Sequence, residues 1–163
     1  MNFKKGLKER EVIVKCAADR ILPFSLVFGI YVILFGTVSP GGGFQGGVIA
    51  ASGFTLLYLG YGMKVIRQTV NAEALRLGEA AGAAFYVFLG VIGILLGFNF
   101  AKNVFADIGE AGELISAGTI TFMSYTVGFK VLTGVGFLLL LMLGMLAAGT
   151  EGDAEEETEE TDK

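Results

Sequence analysis

Apolar residues in this chain run in four long stretches, with charged residues gathered between and outside them. A hydrocarbon core of roughly 30 Å takes about 20 apolar residues as a helix. Spans are predicted over 21–38, 44–63 and 80–100. A further apolar region covers 115–148, interrupted only by Lys130, and exceeds what one span requires. The fourth span is placed at 126–148, with the residues before it at the interface or in a loop. Pro23 falls in the first turn of the first span, where a missing N–H costs nothing. Residues 1–20 mix Leu7, Val12, Val14 and Ala17 with six basic residues. They read as an amphipathic lead-in, either a surface helix on anionic lipid or a polar extension of the first span. Residues 64–79 are predicted as a charged loop and 101–114 as a polar one. Residues 149–163 are an acidic tail, too poor in apolar groups to fold alone and expected to be disordered. The expected fold is all-α and integral to the membrane, with four transmembrane helices in 21–148.

Charge orients this arrangement. Of 163 residues 53% are hydrophobic and 17% charged, where a soluble domain carries roughly 25% charged. Eight of the sixteen acids lie within 151–163, and the rest of the chain holds eleven basic and eight acidic residues, a net charge of +3. The acidic balance therefore belongs to the tail. Lys4, Lys5, Lys8, Arg10, Lys15 and Arg20 precede the first span; Lys64, Arg67 and Arg76 sit in the second loop; the third loop has only Lys102 and the first none. Basic residues stay on the cytoplasmic side, so a multi-pass protein of the cell membrane with both termini in the cytoplasm is predicted. No small-residue cleavage site follows the basic N-terminus, and no cleavable signal is expected.

The same composition limits the chemistry. Histidine is absent and Cys16 is the single cysteine, which excludes an intrachain disulfide, a His- or Cys-ligated metal and a His-dependent nucleophile. No cofactor and no nucleic-acid partner are expected. The spans carry no paired carboxylates and no two matching broken helices, the usual marks of an autonomous transporter. Lys130 stands alone as an ionisable residue inside an apolar run. Such a residue is a functional candidate by default, but one turn inside a helix starting near 126 it would also snorkel to the interface. Glu79 at the start of the third span is accounted for by the helix dipole. Asn99 and Asn103 read as interfacial caps. Small residues recur in the spans, as in Gly78/Gly82 and Gly93/Gly97, and fit either close packing within a bundle or, preferably, docking on other subunits.

The most specific feature is Pro40-Gly41-Gly42-Gly43-Phe44-Gln45-Gly46-Gly47, which has no charged residue. Pro stops the first helix and the glycines permit close backbone approach. The letters match Gly-x-Gly-x-x-Gly, but no acidic residue follows at the required distance and the next element is a membrane span, so nucleotide binding is not expected. A structural corner is expected instead, with Gly42→Val impairing assembly.

The segment Gly36-Thr37-Val38-Ser39-Pro40-Gly41-Gly42-Gly43-Phe44-Gln45-Gly46-Gly47-Val48 resembles the signature of the B subunit of Mrp-type (Mnh-type) multisubunit cation/proton antiporters. The similarity extends in outline over 21–148, including the step Gly128-Phe129-Lys130. Many members of that family have histidine where this chain has Thr37, which does not titrate near neutral pH. The resemblance implies a non-catalytic membrane subunit, structural and lining an ion path, with Lys130 and Thr37 as ion-path candidates. It implies other Mrp-type membrane subunits as partners and Na+ and H+ as the ions moved. It also covers related modules in archaeal energy-converting respiratory complexes of hydrogenase or sulfur-reductase type. Two other readings compete: a homo-oligomeric channel or transporter, and a membrane anchor or assembly factor for a peripheral enzyme.

Overall fold

The computed structural model describes the backbone of residues 2–105, 114–115 and 117–161. It contains helices α1 (Asn2–Phe35), α2 (Gly43–Thr69), α3 (Ala72–Leu95) and α4 (Thr119–Thr161), and no strand among the described residues. Each helix includes a segment long and apolar enough to cross a membrane: Val12–Phe35, Gly43–Thr69, Ala72–Leu95 and Thr119–Ala147. The acids of the third loop, Asp107, Glu110 and Glu113, lie outside the described residues.

Several helix boundaries differ from expectation, for physical reasons. The lead-in is continuous with the first span, so the polar extension is the form it takes, and Pro23 lies mid-helix rather than in a first turn. A proline there deprives the Asp19 carbonyl of its helical partner, which membrane helices tolerate. The charged segment 64–79 is helical except at Val70 and Asn71. Lys, Arg, Glu, Ala and Leu are strong helix formers. Asn71 caps α3, its Oδ1 accepting from the N–H groups of Glu73 (2.9 Å) and Ala74 (3.4 Å). At the far end, α4 begins at Thr119 and continues as helix to Thr161 through the acidic stretch expected to be disordered. Glu residues added to an already nucleated helix propagate it readily.

The start of α4 is held from outside. Asn103 Oδ1 accepts from Thr119 N–H (2.8 Å), its Nδ2 donates to the Ala117 carbonyl (3.1 Å), and Thr119 Oγ1 accepts from Val104 N–H (3.1 Å). Asn103 is thus a cap, as expected, but of α4 rather than α3. Removing a cap costs about 1–2 kcal/mol. Asn103→Ala should therefore speed amide exchange in the first turns of α4 and lower the melting temperature of the solubilised subunit; unchanged exchange there would show that the cap is dispensable. Thr126, the expected start, is internal because its hydroxyl donates to the Phe122 carbonyl (2.8 Å) and needs no water.

Packing uses backbone proximity more than apolar bulk. The fully buried apolar residues are few and mostly small, and include Ala18, Ala50 and Ala51. In lipid, tight packing and hydrogen bonds hold helices together, since apolar burial gains little there. Gly29 of α1 faces Gly46 and Ala50 of α2, and Ser25 donates to the Ile49 carbonyl (2.8 Å). Gly47 of α2 faces the Gly128 carbonyl of α4, and Gly78 of α3 faces Thr133. These small residues, expected mainly for docking, line contacts within the chain. The pair Gly93/Gly97 also has an internal use. Gly97 is left-handed (φ 80°), and the bonds Phe98 N–H to Gly93 O and Gly97 N–H to Ile94 O end α3 in a Schellman turn. Gly62 (φ 77°) breaks α2 two residues before Lys64. The helices pack side by side in the order α1, α2, α4, α3, which leaves α3 at one edge against α4 and α1 at the other against α2.

Candidate functional site

The Pro40–Gly47 corner closes the end of the bundle where α1, α2 and α4 meet. Gly43 is buried, its N–H donates to Ser124 Oγ (3.1 Å), and a Cβ on it would overlap the Ser124 carbonyl oxygen. A Cβ on Gly46 would meet the Gly29 carbonyl at 2.6 Å, and one on Gly47 the Gly128 carbonyl at 2.7 Å. Gly42, by contrast, has extended backbone (φ 170°) and would bring a side chain only against the amide of Gln45, at 2.9 Å. The expectation of damage at Gly42 therefore transfers to Gly43.

Phe44 leads from the corner to a cavity. This space, of about 490 Å³, lies between α3 and α4 and is lined by Phe44, Glu79, Tyr86, Lys130 and aliphatic residues such as Val131 and Val135. Lys130 is eleven residues into α4, about 16 Å along its axis, so the premise of a one-turn depth does not hold. Glu79 is likewise not in the first turn of its helix. That place is taken by Glu73, and a dipole effect fades beyond the first turn. Both charged residues thus stand well within spanning segments. A reciprocal arrangement of glycines seats them. The Glu79 carboxyl carbon lies 3.2 Å from where a Cβ on Gly134 would be, and Lys130 Cβ lies 3.0 Å from where a Cβ on Gly82 would be. Among the described residues neither charged group makes a hydrogen bond or an ion pair.

Of the two ion-path candidates, Lys130 lines this cavity and Thr37 does not. The Thr37 hydroxyl is buried with no hydrogen-bond partner, as is that of Thr121. Glu79 is the residue that sequence reasoning undervalued. The signal for it was Asn71-Ala72-Glu73, an N-cap followed by a first-turn acid, which moves the helix start back and carries Glu79 inward.

The sequence family described as "Domain related to MnhB subunit of Na+/H+ antiporter" matches residues 13–137. The chain belongs to this MnhB-related family. The matched range takes in the corner, Thr37, Glu79 and Lys130, and leaves out the acidic end of α4. An uncharacterized protein of Methanocaldococcus jannaschii is 34% identical over 143 residues, 85% of this chain and 54% of that protein. The B subunit of the Na(+)/H(+) antiporter of Alkalihalophilus pseudofirmus is 26% identical over 140 residues, and a putative antiporter subunit mnhB2 of Staphylococcus haemolyticus 27% over 141. In both cases 85% of this chain and 96% of the relative are covered. The chain therefore spans about half of the archaeal relative and nearly all of the two bacterial MnhB-type subunits.

Proposed function

We propose that this chain is a non-catalytic membrane subunit of an Mrp-type cation/proton antiporter module, in which it packs against other membrane subunits and lines part of an ion path through the α3–α4 cavity. The observation that carries this reading is the family match over all four spans, 13–137. The seating of Lys130 and Glu79 in one cavity supports the ion-path part. The distribution of basic residues supports an orientation with the start of α1, the α2–α3 connection and the end of α4 in the cytoplasm.

Deleting the subunit tests the proposal. Loss of complex assembly or of Na+-dependent proton movement in membrane vesicles is the expected result, and survival of both would overturn it. Mass spectrometry of subunits that co-purify in mild detergent distinguishes a free-standing antiporter from a respiratory complex, since iron–sulfur or nickel–iron partners mark the latter. Ion flux through liposomes containing this chain alone would favour a homo-oligomeric channel. Loss of a peripheral arm on removing residues 151–163 would favour an anchor.

A further inference from the structure

The α3–α4 seam sets one half-buried charge of each sign within the spanning segments, and no described residue satisfies either. Ionisable groups at such depth are expensive unless paired. Glu79 faces Gly134 and Lys130 faces Gly82, so the antiparallel seam sets the two residues about one helical turn apart, roughly 5 Å along the axis. A lysine side chain is long enough to cross that interval by changing rotamer. Gly82 and Gly134 carry no side chain to obstruct this, and apart from Tyr86 the remaining lining is apolar.

We propose that Glu79 is a binding site for a monovalent cation, a proton or Na+, and that the Lys130 ammonium is its built-in competitor. The inference rests on the antiporter-subunit reading above. The carboxylate is neutralised either by the arriving cation or by the ammonium, and not by both. When the cation is bound, the ammonium turns away from Glu79; when the cation leaves, the ammonium returns. The charged groups lining the cavity are Glu79 and Lys130, and Tyr86 is the other titratable one.

Carbodiimide labelling of Glu79 in the purified intact complex tests the site, because the reagent attacks a protonated carboxyl and bound Na+ blocks it. Labelling should be absent in Glu79→Gln and should fall as pH rises. Protection by Na+ at constant ionic strength, against choline, identifies Na+ as an occupant; a pH response without it identifies the proton alone. In Lys130→Met the pH midpoint should rise by about one unit or more, and any half-protecting Na+ concentration should fall about tenfold or more, as expected on removing a nearby positive charge. Lys130→Arg should behave as wild type, and Lys130→Gln serves if the Met variant does not assemble. Labelling that is absent, or indifferent to both pH and Na+, overturns the cation site. A midpoint unchanged by loss of the lysine charge overturns the competition. Antiport by wild-type vesicles is read separately: transport with an inert Glu79 discards this site and keeps the proposed function, and a responsive Glu79 without transport does the reverse.

Discussion

Gly43→Ala is expected to leave almost no assembled subunit in the membrane. The added methyl would overlap the Ser124 carbonyl, with the Gly128 N–H 2.8 Å away. These are backbone atoms of α4, so relief requires two helices to separate rather than a side chain to turn. Overpacking of this kind costs about 1–3 kcal/mol where side chains can adjust, and more where they cannot. Separation also breaks the Gly43 N–H bond to Ser124 and opens the neighbouring contact of Gly47 with Gly128 and Val131. Gly42→Val, one residue earlier, should assemble almost normally, because only the flexible Gln45 amide stands in its way. Subunit abundance in membranes and co-purification with partner subunits measure both. Equal loss in the two variants would mean that the corner acts through chain flexibility and not through contact with α4.

Lys130→Ala is expected to have the opposite profile, an assembled complex that no longer couples ions. Removing a lysine from the middle of a membrane helix relieves an insertion cost of about 2.5–3.5 kcal/mol, so the fold should survive. Na+-dependent proton movement should fall at least about tenfold, corresponding to roughly 1.4 kcal/mol of lost interaction. Lys130→Arg should retain much of it. Wild-type coupling by Lys130→Ala in an intact complex would remove Lys130 from the ion path.

Much of this architecture is legible in the amino-acid sequence. The apolar runs announce four spans, the Pro-Gly cluster announces a tight corner, and Lys130 stands out because nothing near it is charged. What escapes has common causes. Hydropathy detects lipid-facing stretches but not helix ends, and polar helix formers between Lys64 and Glu79 look like a loop. The error moves Glu79 to a helix terminus, where its charge seems explained. Thr126 looks like an N-cap because threonine often is one; only the bond to Phe122 shows that the hydroxyl is satisfied inside the helix. The destination of the glycines is a three-dimensional matter. Gly78 and Gly82 sit on the face that meets α4, and spacing alone does not distinguish that from a face presented to another subunit.

The edge position of α3 has a mechanical meaning. The helix leans on α4, and its connection to α2 is two residues long. Within the bundle it would separate by parting from α4 alone, whereas α2 is packed against both α1 and α4. Elements held on one side open at lower free energy than those held on several. If Glu79 and Lys130 exchange partners as proposed above, the change of charge falls within that single seam.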